Sequence, residues 1–152
     1  MTPRIDLFKS APDAIKAMMG LETYVRASGL PTSLMELVKM RASQLNGCAF
    51  CLDMHARDAR KHGESEQRLY LLSAWRESPL FSDSERAALA WTEALTRLPE
   101  SGVPDDVYDE LTRHFSEAEI VRLSMLIVAI NGWNRLNVGV RAVHPVEERS
   151  AA

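Results

Sequence analysis

This 152-residue chain has two cysteines, three positions apart, and that scarcity excludes a small fold stapled by several disulfides. It also lacks a long apolar run. The most apolar stretch, "LSMLIVAI" from Leu123 to Ile130, falls well short of the roughly 20 residues that a membrane span requires, so it reads as a core helix. The opening "MTPRIDLFKSAPDAIKAMMG" has no apolar block of the kind an export signal needs. The expected location is therefore the cytoplasm, and no membrane partner is expected. Runs of one charge are missing as well: 18 basic residues face 21 acidic ones without clustering, which argues against a nucleic-acid groove. Finally, no stretch of four or more β-formers alternates between turn signals, and neither an internal repeat nor a low-complexity linker is present.

What remains is a series of helix signals within a length suited to one domain with a real core. One pattern begins after Ser10 and stops at Gly29 before Pro31; a second runs from Pro31 to Gly47, with Leu34, Leu37, Val38 and Leu45 near one face. A third spans about Cys48 to His62 and closes at Gly63. In the segment after it, Leu69, Leu72 and Trp75 share a side. Two later helices open with capping boxes, Ser82 with Glu85 and Ser116 with Glu119, and Pro104 suits the first turn of a helix between them. The last long helix, from about Glu117 to Val138, is apolar on most sides and should be central. The pattern predicts an all-α single domain over 1–152 of about seven helices, with its motif region at about 31–63 and a frayed tail at about 146–152.

The chemistry is concentrated in "NGCAFCLDMHARDARKHG". At about 100° per residue, Cys48, Cys51 and His55 line one stripe of one helix, with Cys48 at its start. Unpaired backbone donors and the positive end of the helix dipole there favour a thiolate. A histidine one turn along can take or return a proton. A sulfenic acid on one sulfur can be resolved by the other into a disulfide. Dipole and exposure point to Cys48 as the attacking thiol, whereas proximity to His55 points to Cys51; the expectation placed here is Cys48, with Cys51 resolving. If the two helices around Asn46-Gly47 fold back on each other, Glu36 comes level with the neighbourhood of His55, Arg57 and Asp58. A proton path would then run from the sulfurs through His55 to Glu36.

Glu36, eleven residues, Cys48-x-x-Cys51, three residues and His55 together resemble the signature of alkylhydroperoxidase AhpD-like proteins, within the carboxymuconolactone decarboxylase superfamily. A looser likeness extends to "INGWNRLNVGVR". The resemblance implies an all-helical fold and thiol-dependent reduction of hydroperoxides. It also implies recycling by an external dithiol reductant, lipoamide-type or thioredoxin-like, and assembly into a homo-oligomer, trimer or hexamer. Glu36, Cys48, Cys51 and His55 would be the catalytic set, without a cofactor or resident metal. One departure stands out: Phe50 lies between the cysteines, where well-known peroxidase members carry a second histidine.

Other readings of the same residues remain. The cysteines can be small buried hydrophobes. Glu36 can close a capping box with Ser33 or pair with Lys39. A zinc site could use Cys48, Cys51, His55 and His62, although all four lie on one short helix, where tetrahedral closure is awkward. Acid–base chemistry of the decarboxylase kind would need no cysteine pair, and a redox-sensing module would need no turnover. His62 fits a helix C-terminus, and His114 and His144 carry no pattern. Asn131, Trp133 and Asn134 read as core or interface, and Met18, Met19, Met35 and Met40 as packing residues.

Overall fold

The computed structural model describes residues 1–146; the expected frayed tail lies outside this range except for Val146. Nine α-helices and one 3₁₀ segment are found among the described residues: α1 (Leu7–Ser10), α2 (Pro12–Arg26), α3 (Thr32–Asn46), α4 (Ala49–Lys61), α5 (Glu66–Leu71) running into the 3₁₀ segment Leu72–Glu77, α6 (Asp83–Thr96), α7 (Leu98–Ser101), α8 (Asp105–Thr112) and α9 (Glu117–Val140). Two of these, α1 and α7, are single turns of four residues, which leaves seven longer helices.

The local signals act as the residues dictate. Ser82 and Ser116 each accept from the backbone three positions on, and Glu85 and Glu119 reach back, so both capping boxes form. Pro104 is the residue before α8 rather than its first turn. The segment after α5 tightens to 3₁₀ geometry with a kink at Ala74, yet Leu69, Leu72 and Trp75 still bury together. Gly47 sits at φ 64°, where a side chain would be strained, and lets α3 and α4 fold back on each other.

Helix α3 is the axis of the domain, packing against α4, α6 and α9. Its Leu34, Met35 and Val38 enter one apolar cluster with Trp91, Leu111, Leu123 and Ile127. Its Leu37 and Met40 enter a second with Ala59, Leu72, Trp75 and Leu89. A helix buried on two sides has little surface for charge, so any ionisable group it carries must find a partner.

Helix α9 also crosses the middle, against α2, α3, α4, α6 and α8. It is open along one flank, where Val121 and Val128 are 60% and 55% exposed. Its end is tied to the N-terminal segment: Arg4 donates from its backbone to the Val140 carbonyl (2.8 Å) and from its guanidinium to the Gly139 carbonyl (2.9 Å). That tie sets α1 beside the end of α9.

Candidate active site

The turn that carries the cysteines is fixed by polar contacts to α9. Asn46 donates to both Asn131 and Asn134 at 2.9 Å, and fully buried Asn134 donates to Ser43 Oγ at 2.9 Å. Asn131 and Asn134, read from sequence as core or interface residues, hold the start of α4 through Asn46 and Ser43. No motif spacing could reveal these contacts, since the partners lie 85 to 91 positions apart.

Cys48 is the N-cap of α4, and its Sγ accepts from the Cys51 backbone N–H at 3.3 Å. Cys48 and Cys51 form a disulfide. The stripe predicted from the spacing is therefore real: a thiolate at Cys48 would inherit a backbone donor and the positive end of the helix. The predicted exposure is not: Cys48 is 1% and Cys51 0% accessible. Asn137 Nδ2 approaches Cys51 Sγ at 3.5 Å, a polar neighbour absent from the sequence reading.

The α3–α4 hairpin brings Glu36 to His55 directly. Glu36 Oε2 lies 2.8 Å from His55 Nδ1, with both side chains buried. The competing capping box does not form, because α3 starts at Thr32, Pro31 is its N-cap, and Ser33 lies inside the first turn. That leaves the carboxylate free for the imidazole. With Nδ1 as the donor, the second ring nitrogen Nε2 holds the lone pair.

The other oxygen of Glu36 lies 3.8 Å from Lys39 Nζ, and Lys39 also donates to Glu22 on α2 at 2.9 Å. Arg26 donates to Glu22 from the next turn. Burial pushes the Glu22 carboxyl up, but its hydrogen bond and charge interaction with Lys39, joined by Arg26, outweigh this and hold it below the usual carboxylate range.

A cavity of about 280 Å³ lies over this site. Cys51 and His55 line it; Glu22, Arg26 and Asn137 supply the remaining polar wall. The apolar wall comes from Phe8, Met19, Phe50, Met54, Ile130 and Trp133. Phe50, which stands between the cysteines in sequence, thus lines the cavity with an apolar side chain. Trp133 belongs to this wall rather than to the core alone. The contributions of α1, α2 and α9 had no signal in the motif. Only the helical period of α9, which sets Ile130, Trp133 and Asn137 on one face, hinted at them.

The remaining histidines lie elsewhere. His62 caps α4, with Nδ1 2.7 Å from the Asp58 carbonyl oxygen, and His114 pairs with Glu110 at 3.0 Å. Among the described residues no group of three or more His, Cys, Asp or Glu is placed to hold a metal ion. No helix among them is long and apolar enough to cross a membrane.

These features define a class: an all-helical AhpD-like protein with a Cys-x-x-Cys pair at the start of a buried helix. The chain belongs to the carboxymuconolactone decarboxylase family, whose model matches residues 12–94. It is 44% identical to the uncharacterized protein YdfG of Bacillus subtilis over 140 residues, covering 92% of this chain and 95% of that one. It is 34% identical to the uncharacterized protein YnjA of Escherichia coli over 112 residues, 74% of this chain and 61% of YnjA. Among solved structures, ATU0492 of Agrobacterium tumefaciens, a protein of unknown function with a suggested place in antioxidant defence as AhpD, superposes with a TM-score of 0.94 at 51% identity, covering 96% of this chain and all of that one. The debrominase Bmp8 shares the fold, with a TM-score of 0.82 at 24% identity over 91% of this chain and 74% of its own.

Proposed function

We propose that this protein is a thiol-dependent peroxidase that reduces hydroperoxides through Cys48 and Cys51 and is recycled by an external dithiol. The observation that carries this reading is the redox pair itself: a disulfide whose Cys51 faces a cavity shared with the Glu36-bound imidazole of His55. Membership of the family and the likeness to ATU0492 support it.

The cavity lining, which includes Cys51 and not Cys48, supports Cys51 as the first attacker, the reverse of the order expected from the helix dipole. His55 takes the proton of the Cys51 thiol, and the resulting thiolate attacks the outer peroxide oxygen. An S–O bond forms, the O–O bond breaks, and the alkoxide leaves with a proton delivered from His55. The sulfur has lost two electrons, and the alcohol carries them away. The Cys48 thiol, whose Sγ lies beside the Cys51 N–H, then attacks the sulfenic sulfur, and its proton leaves with the hydroxide as water as the disulfide closes. Two thiols of the donor reopen it by exchange. Glu36 holds the imidazole in the tautomer this cycle needs and balances its charge when it is protonated.

The homo-oligomer implied by the resemblance belongs to this proposal, and the open valine flank of α9 supports it. Sedimentation velocity of the purified chain tests it; a monomer at every concentration rules it out.

The test of function is peroxide consumption with a dithiol donor by the native protein, Cys51→Ser and Cys48→Ser. Turnover by the native protein alone is expected. Full activity on a lactone that survives in both serine variants would instead select acid–base chemistry by His55 and Glu36.

A further inference from the structure

We propose that Lys39 is a positioning residue of the site: its ammonium, shared between Glu22 and Glu36, sets the proton affinity of the Glu36–His55 pair. The inference concerns the same site as the proposed function, and its test is independent of peroxide turnover.

Lys39 is 3% exposed, and its charge has left water for two carboxylates. A buried lysine of this kind is stable only while its partners remain ionised. The three groups come from two helices: Glu22 from α2, Glu36 and Lys39 from α3. His55 on α4 adds the fourth. Each Glu36 oxygen has a different neighbour, His55 Nδ1 at 2.8 Å and Lys39 Nζ at 3.8 Å. The longer contact does not compete for the oxygen that orients the imidazole. Glu22 is the closer partner and draws off part of the ammonium's field.

The other charged groups near the pair do not replace this control. Arg26 on α2 is held by Glu22. On α4, Asp53 pairs with Arg57 and Asp58 with Lys61 along the outer side, and Cys51 is in the disulfide. On α6, Glu93 binds Arg41, which projects from the far side of α3. From α1 and α9 the cavity receives Phe8, Ile130, Trp133 and Asn137, none of them ionisable.

Two substitutions should therefore act in opposite directions. Lys39→Met removes a positive charge and makes a proton on the pair more favourable. Glu22→Gln removes a negative charge and frees the ammonium to act on Glu36, which makes a proton less favourable. A purely structural role would give both variants the same sign, loss of stability and nothing else.

The experiment is NMR titration of the His55 ring protons in the oxidised protein, where no thiol titrates. Lys39→Met should raise the midpoint, because a positive charge beside the pair is removed. Glu22→Gln should lower it, and Lys39→Arg should leave it near the native value. If Lys39→Met does not fold, the downward shift in Glu22→Gln together with an unmoved Lys39→Arg still supports the proposal. A midpoint unmoved in Glu22→Gln, or moved upward, overturns it. Because the disulfide form is used, a negative result here leaves the peroxidase reading standing, and a failed peroxidase assay leaves this one standing.

Discussion

Glu36 and His55 meet across the α3–α4 hairpin, nineteen positions apart in the chain, with 2.8 Å between Oε2 and Nδ1 and almost no solvent at either group. The pair is buried and directly bonded, so neither substitution is silent. Glu36→Ala leaves the Lys39 ammonium with one carboxylate and the imidazole with none. Because Glu22 still holds the ammonium, the loss is that of a buried hydrogen bond to a charged group, about 1.5–3 kcal/mol, and thermal or urea unfolding should show a loss of that size. Glu36→Gln keeps the shape and should cost less.

His55→Gln separates chemistry from stability. A positioned acid–base group contributes about 10²–10⁴-fold, so peroxide turnover should fall at least a hundredfold while the unfolding midpoint moves much less than in Glu36→Ala. Steady-state assay beside urea denaturation checks both numbers. A turnover within a few-fold of native would remove His55 from the mechanism.

The two cysteines should fail differently. Cys51→Ser removes the sulfur that faces the cavity and should give no reaction with peroxide at all. Cys48→Ser should react once and stop, leaving a sulfenic acid at Cys51 that a cyclic 1,3-diketone traps and peptide mass mapping locates. Trapping in Cys51→Ser at Cys48 would restore the order suggested by the helix dipole.

Phe50 and Trp133 make the wall beside Cys51 apolar. Trp133→Ala should lower kcat/KM for an aromatic hydroperoxide by about tenfold or more, since burying an aromatic substrate against a side chain of this size is worth about 1.5–3 kcal/mol. Hydrogen peroxide, which has no apolar body, should be affected far less. The ratio of the two rates is the readout, and an unchanged ratio would mean that the cavity does not hold the organic group.

Acid should weaken the fold through three carboxylates that are paired in the folded state. In Glu22, Glu85 and Glu93 burial raises the carboxyl, but hydrogen bonds and charge from Lys39, from Arg68, and from Trp75, Arg76 and Arg41 respectively prevail and hold each below its ordinary value. A carboxyl lowered in the folded state contributes stability that is fully present above its unfolded value of about 4.3. That contribution is lost as pH falls through the lower folded value. The urea midpoint should therefore decline as pH falls below about 4.3. Glu93→Gln should show a shallower decline than the native chain.

Much of the fold was written locally. The capping boxes at Ser82 and Ser116, the left-handed glycine at 47 and the helical period of the apolar residues each act within one turn of chain, so they can be read without knowing what they pack against. The same holds for the sulfur pair: three residues apart at a helix start, Cys48 and Cys51 can meet whatever surrounds the helix. His55 follows on the same stripe for the same reason.

Whether Glu36 would serve a capping box or the imidazole was open in sequence, because Ser33 and His55 were both plausible partners. The decision lay in where α3 begins and how α3 and α4 fold back, and the structure starts the helix one residue before Ser33. The exposure of Cys48, the aim of Cys51 at a cavity, and the contributions of Phe8, Glu22, Trp133 and Asn137 depend on how α1, α2 and α9 lie over α4. Sequence determined the reactive set on one helix, since hydrogen bonding and side-chain period are properties of neighbouring residues. Only tertiary packing decided which sulfur lines the cavity and which charges lie near the imidazole, because cavity walls and electrostatic field are set by groups that are distant along the chain and adjacent in space.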